Sequence, residues 1–170
     1  MNLSEYIRNI ENFPKQGIHF KDITPLLASQ EATEFCVQQL LKMLGDQKID
    51  KVAAIESRGF FFGTLLAQKL NAGFVPIRKP GKLPYSTLKE PYQLEYGMDA
   101  LEIHEDAIKK GERILMHDDV LATGGTARAA CNLIEKLGGE IVQCNFLIEL
   151  EFLNGIKKLR NQTVNSLLKY

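Results

Sequence analysis

Residues 114 to 127 read I-L-M-H-D-D-V-L-A-T-G-G-T-A, from Ile114 to Ala127. The stretch opens with an apolar run of the kind a buried parallel strand carries. Two adjacent carboxylates, Asp118 and Asp119, stand where that strand should end. The chain then turns through Ala122, Thr123, Gly124, Gly125 and Thr126 and enters a helical pattern. In an open α/β sheet, ligands sit outside the carboxyl ends of the strands. A Gly- and Thr-rich turn at a helix N-terminus offers backbone N–H groups and a positive dipole end, which suit a phosphate. The two acids would repel a phosphate, so they suit hydroxyls or a cation. Phosphate, vicinal hydroxyls and a cation together describe a ribose phosphate.

Working outward, the pattern repeats. K-V-A-A-I-E (51–56) is a short apolar strand, followed by Ser57-Arg58-Gly59 and a helix that is apolar on nearly every side. Its turn holds an arginine, and Ser57 is a reasonable N-cap. G-F-V-P-I-R-K (73–79) reads as a strand with a basic end, Arg78 and Lys79, with Lys82 just beyond. Residues 80–97 hold Pro80, Pro84, Pro91, Gly81 and Gly97, which no helix survives. We read a long excursion ending in a hairpin, with Y-Q-L-E-Y as one arm and D-A-L-E-I-H-E as the other. A loop of this length inside a domain suggests a lid or binding loop.

After the central motif, residues 126–137 read as a helix with Ala127, Ala130, Cys131, Ile134 and Leu137 on its buried stripe. E-I-V-Q-C-N-F-L-I-E-L is the next strand, 152–160 a short helix, and T-V-N-S-L-L a terminal strand. Toward the N-terminus, 3–10 reads as a short amphipathic helix, 13–25 as an irregular segment rich in aromatic and apolar residues, and 31–44 as a helix stopped by Gly45. Strands alternating with helices predict an α/β, doubly wound, mainly parallel sheet in one domain spanning 1–170.

Bulk composition agrees. The 170 residues are 45% hydrophobic and 25% charged, enough for a full core without staples. Lys+Arg and Asp+Glu are both 21, so no net charge favours nucleic acid. Cys36, Cys131 and Cys144 are scattered and odd in number, which speaks against a disulfide framework or a zinc site and makes a reducing cytoplasm the default. No stretch reaches the ~20 apolar residues of a membrane helix.

No G-x-x-x-x-G-K-[ST] and no G-x-G-x-x-G occurs, so the nucleotide folds that carry those fingerprints are set aside. The Asp118–Ala127 segment instead resembles the signature of the type I phosphoribosyltransferase family. F-P-K-Q-G-I-H-F-K-D-I-T-P-L, E-S-R-G-F-F-F-G, V-P-I-R-K-P-G-K-L-P and Y-Q-L-E-Y-G-M-D-A-L-E-I-H are similar to further family segments, in the family's order and spacing. The resemblance runs from about residue 10 to residue 168. The 13–25 segment and L-E-Y-G are similar to the members that use adenine.

The resemblance implies an N-terminal hood (about 1–30), a flexible lid hairpin (about 80–103), and transfer of phosphoribose from phosphoribosyl pyrophosphate to N9 of adenine with Mg2+. The 5′-phosphate would lie on Ala122, Thr123, Gly124, Gly125 and Thr126, and the ribose hydroxyls on Asp118 and Asp119. Pyrophosphate would meet Glu56, Ser57, Arg58, Lys79 and Lys82, and the peptide between Glu56 and Ser57 would be cis. Glu95 would exchange the purine's N7 proton, with Arg58 as its catalytic companion and Tyr96 as a lid contact. His19, Phe20, Lys21 and Val120 would receive the adenine, although Lys21 stands where many members have arginine, whose planar fork it lacks. The magnesium would be held by substrate and water rather than by direct protein ligands. His117 departs from the family's apolar residue and reads as a buried, hydrogen-bonded histidine, and His104 as a surface residue of the hairpin. The resemblance further implies a cytoplasmic homodimer without nucleic-acid or membrane partners. The alternatives are a phosphoribosyltransferase for hypoxanthine, guanine or xanthine, and a regulator that binds phosphoribosyl pyrophosphate without turning it over.

Overall fold

The structure is a computed structural model that describes residues 1–94 and 97–170. It comprises two compact units, Met1–Lys42 and Met43–Tyr170.

In the first unit a 3-10 turn over Leu3–Tyr6 is capped by Asn2, whose side chain accepts the Ser4 N–H at 3.2 Å. The chain then straightens into β1 (Arg8–Glu11), which pairs antiparallel with β2 (His19–Asp22). The expected helix over 3–10 is therefore one short turn followed by a strand. Pairing Ile10 with Phe20 gives these backbone groups partners that an isolated eight-residue helix could not secure. The same pairing orders part of the 13–25 segment read as irregular. The Phe13–Pro14 peptide is cis, and Asn12 and Gly17 take positive φ in the connecting turn. Helix α1 (Thr24–Ala28) has Pro25 in its first turn, and α2 (Gln30–Leu44) follows, with Ala32, Cys36, Val37 and Leu40 buried.

The second unit is built on β3 (Lys51–Ile55), α3 (Gly59–Lys69), β4 (Gly73–Ile77), β5 (Thr87–Gln93), β6 (Met98–His104), β7 (Arg113–Leu121), α4 (Gly125–Lys136), β8 (Glu140–Glu149) and β9 (Val164–Lys169). Five of these strands form one sheet in the order β4-β3-β7-β8-β9, and every pairing in it is parallel. All strand C-termini therefore face one edge. Ile114, Leu115 and Met116 are completely buried, as expected for a strand with both faces covered. Helix α4 buries Ala127, Ala130, Cys131 and Ile134 as its periodicity requires. Helix α3 buries Phe62, Gly63 and Leu66, while Phe61 is 48% exposed.

The hairpin of β5 and β6 is longer than its sequence suggested: β5 begins at Thr87 and takes in Pro91, opposite Ala100. It is fastened on two sides. Arg78, just past β4, exchanges backbone hydrogen bonds with Glu102 at 2.9 and 2.7 Å. Glu90 accepts from Asn132 Nδ2 at 2.7 Å and pairs with Lys136, both on α4. The helix expected over 152–160 is two 3-10 turns, Glu151–Leu153 and Gly155–Leu159, broken at Asn154 with φ 54°. Ser57 does not cap α3: Arg58 holds the cap position and Ser57 offers its carbonyl to Phe60 N–H at 3.1 Å. The Glu56–Ser57 peptide is cis.

Candidate active site

The C-terminal end of β7 runs into Ala122-Thr123-Gly124 and then α4, as the sequence motif requires. Gly124 occupies the cap position with φ 76°, a conformation that costs a side-chain-bearing residue more than glycine. The first N–H groups of a helix have no intrahelical partners, so the start of α4 presents donors and a positive dipole end. Asp118, Val120, Ala122, Thr123, Gly124 and Thr126 line one small hollow at this point. The structure thus brings together Asp118, the strand end and most of the turn that the sequence singled out.

The two aspartates occupy different positions. Successive residues of a strand point to opposite sides. Asp118 lines the hollow, and its Oδ1 accepts the Asp119 N–H at 2.9 Å. Asp119 is turned inward, 4% exposed, with Arg58 Nε 2.9 Å from its Oδ2. Burial raises the affinity of both carboxyls for a proton; the neighbouring Asp119 charge raises Asp118 further, and the Arg58 guanidinium pulls Asp119 back down. Asp119 is therefore the member of the pair better suited to carry the charge. Gly59 makes room for this arrangement, since a Cβ there would lie 2.8 Å from Asp118 Oδ1.

One residue earlier, His117 is fully buried, and its Nδ1 lies 2.7 Å from Asn145 Oδ1 on β8. Burial depresses its pKa to about 4, so the ring is neutral at neutral pH. That geometry is structural, as the sequence suggested. His104, at the end of β6, accepts Tyr85 N–H at 3.4 Å.

At the neighbouring strand ends the cationic residues are organised by acids. Glu56 accepts Lys79 N–H at 2.6 Å and Arg78 Nε at 3.2 Å. Its carboxylate thus shapes the exit of β4. The Lys79 ammonium is bound by Asp99 on β6 and by Tyr92 on β5, which accepts at 2.6 Å. These partners hold Lys79 more strongly protonated, against the burial that opposes it, and draw Asp99 further toward its charged form. Lys82 is exposed, and its backbone N–H donates to Lys79 O at 3.3 Å. Glu95 and Tyr96 lie outside the described residues.

In the first unit His19 is exposed, while Phe20 and Lys21 are half-buried on β2. Phe20 meets Phe13 edge-to-face with centroids 5.2 Å apart. Val120, near the end of β7 in the second unit, lines the hollow.

The sequence reading passed over Tyr92, Asp99 and Gly155. The first two stand on opposite hairpin arms, and only their cross-strand register, Tyr92 opposite Asp99, shows that they meet at Lys79. Gly155 lies against the 122–124 turn with no motif around it: a Cβ there would fall 2.1 Å from Ala122 O. Among the described residues no cluster of three or more His, Cys, Asp or Glu could hold a metal ion by itself.

Comparison with known proteins agrees with this geometry. The model of the phosphoribosyl transferase domain matches residues 20–162. The adenine phosphoribosyltransferase of Christiangramia forsetii is 66% identical over 170 residues, covering 100% of this chain and 99% of the relative. A crystal structure of adenine phosphoribosyltransferase from Thermoanaerobacter pseudethanolicus matches with a TM-score of 0.97 and 51% identity, over 99% of this chain and 100% of that one. The Saccharomyces cerevisiae enzyme, complexed with D-2,5-dideoxy-2,5-imino-altritol 1,6-bisphosphate and adenine, matches with a TM-score of 0.91 and 40% identity, over 96% and 95% of the two chains. With its parallel sheet, its strand-end aspartates and its glycine turn at the head of α4, this chain belongs to the phosphoribosyltransferase family.

Proposed function

We propose that the protein joins phosphoribose to N9 of adenine, giving AMP and pyrophosphate from adenine and 5-phosphoribosyl-1-pyrophosphate, with the whole chain acting as one catalytic domain. The observation that carries this reading is the hollow at the end of β7. It sets a carboxylate beside a helix N-terminus, the pairing that a sugar phosphate needs. Full-length relatives that carry the name adenine phosphoribosyltransferase support adenine over the oxo-purines.

In this reading the 5′-phosphate rests on the N–H groups of Ala122–Thr126 and on the hydroxyls of Thr123 and Thr126. Asp118 and Asp119 engage the ribose hydroxyls. Asp119 orients the Arg58 guanidinium through Nε and adds negative potential, which favours the oxocarbenium-like transition state as the bond to pyrophosphate breaks. Arg58, Lys79 and Lys82, with Ser57 at the turn and Glu56 shaping it, receive the departing pyrophosphate. Glu95 exchanges the N7 proton as N9 attacks C1 of the sugar, and Tyr96 covers the site. His19, Phe20, Lys21 and Val120 are assigned to the adenine.

The donor set fits magnesium in one form. Magnesium prefers hard oxygen ligands and keeps several waters, binding through few carboxylates plus substrate phosphates. In this reading substrate oxygens and water hold the ion, with no direct protein ligand. When bound, the ion would neutralise pyrophosphate charge. We place the enzyme in the cytoplasm, where its free buried thiols fit a reducing compartment, and we take it to be a homodimer. The half-exposed Phe61 offers apolar surface for a dimer interface. Among the described residues, no helix is long and apolar enough to cross a membrane.

The test is incubation with adenine, phosphoribosyl pyrophosphate and magnesium, following AMP and pyrophosphate, with hypoxanthine, guanine and xanthine in parallel. AMP formation that Glu95→Ala lowers in turnover and Asp119→Asn lowers in sugar-phosphate binding or turnover is expected. Preferred consumption of an oxo-purine would move the assignment to that base, and ligand binding without turnover would move it to a regulator.

A further inference from the structure

We infer that Gly155 is a positioning residue for the phosphate turn. Its missing side chain lets the 3-10 turn Gly155–Leu159 press backbone against backbone on Ala122–Gly124 and hold that turn in its anion-receiving shape. The inference rests on the assignment of the 5′-phosphate to that turn.

The contact is made by two glycines facing one another. A Cβ on Gly155 would lie 2.1 Å from Ala122 O, 3.0 Å from Ala122 C and 2.9 Å from Gly124 N. A Cβ on Gly124 would in turn lie 2.3 Å from Gly155 O. All of these neighbours are main-chain atoms, so no flexible side chain can swing away to admit a methyl group. Gly124 also needs its positive φ, so the turn has little freedom to yield by rotating there.

The brace is itself anchored. Leu159, at the end of the same 3-10 turn, is 1% exposed and belongs to the core cluster that contains Ala127 and Cys131 of α4. Asn154 enters the turn with φ 54°, and its carbonyl accepts the Lys157 N–H at 3.1 Å. A buried anchor at one end and a left-handed residue at the other place Gly155 against the phosphate turn. An added methyl group must therefore displace the turn or its brace by about an ångström. Misplacement on that scale in a binding constellation can cost on the order of 100-fold in activity.

The experiment uses the full chain and three variants, with binding of ribose 5-phosphate and of pyrophosphate measured separately by calorimetry. Gly155→Ala is expected to weaken ribose 5-phosphate at least tenfold and leave pyrophosphate within twofold, because pyrophosphate does not use the turn. Leu159→Val adds no clash and only loosens the anchor. It is expected to weaken ribose 5-phosphate by a few fold with pyrophosphate unchanged, and it serves as the test should the alanine variant fail to fold. Thr126→Val reports on the phosphate assignment itself and is expected to weaken ribose 5-phosphate. If Thr126→Val weakens that ligand while Gly155→Ala and Leu159→Val leave it within twofold, the role of Gly155 is overturned and the assignment stands. Equal losses for both ligands in Gly155→Ala would show a merely structural residue and overturn the inference. An unaffected Thr126→Val would remove the phosphate assignment and the inference with it.

Discussion

Acidification should unfold this protein partly through His117, and the size of the effect can be worked out. The imidazole is completely buried against Asn145, with its pKa depressed from 6.5 to about 4. A depressed histidine binds its proton more readily in the unfolded chain. Its contribution to stability is therefore intact above pH 6.5 and is lost as pH falls through the window from 6.5 to 4. Each pH interval inside that window costs about 1.4 kcal/mol, so moving from pH 7 to pH 5 should remove about 2 kcal/mol through this residue. The comparison is His117→Leu/Asn145→Leu, which replaces both hydrogen-bonding partners with apolar groups and leaves neither unpaired. Urea unfolding of both proteins at pH 7 and pH 5 isolates the term, because the other titrating groups are common to both. The wild type should lose about 2 kcal/mol more than the double variant. Equal losses in the two proteins would refute the assignment of a neutral, buried imidazole.

Four further outcomes are expected. Arg58→Leu strips the buried Asp119 of its cationic partner; because the arginine is itself partly exposed, the loss should be about 2 kcal/mol in denaturant unfolding, below the cost of breaking a fully buried pair. Gly63→Ala places a Cβ 2.6 Å from that of Ala54 and 3.2 Å from the Phe74 ring, and should lower stability by about 1–3 kcal/mol without affecting the oligomeric state. Phe20→Ala should raise the KM for adenine by roughly 5- to 150-fold, the worth of one base stacked on an aromatic ring, with the KM for phosphoribosyl pyrophosphate steady. Glu90→Gln should loosen the hairpin from α4, seen as faster amide exchange in β5 and β6 with the main sheet unchanged.

The main sheet was legible because its signals are local. Apolar runs such as 52–55 and 114–116, each leading to a short turn and a helical stripe, leave few alternatives to parallel strands. The turn into α4 was legible for the same reason, since its glycines and threonines are contiguous. The misreadings had non-local causes. Leu3–Ile10 carries a helical stripe, yet residues 8–11 take their partners from 19–22. Pro91 looked like a breaker but sits in a short hairpin, outside the main sheet, where the hydrogen bond it cannot donate is tolerated. The pairing of Asp119 with Arg58 is likewise non-local, joining residues from two strand ends. The Asp99–Tyr92–Lys79 cluster joins residues from β6, β5 and the turn after β4, and no spacing rule in the chain announces it.

That cluster constrains how the hairpin can behave. Lys79 lies in the turn after β4 and Asp99 on β6 of the hairpin, yet each neutralises the other in half-buried surroundings. Any motion that carries the second hairpin strand away from the end of β4 would leave a lysine and an aspartate without counter-ions at the same moment. Lifting the hairpin root is opposed by that charge separation, so the ion pair latches the hairpin to the end of β4.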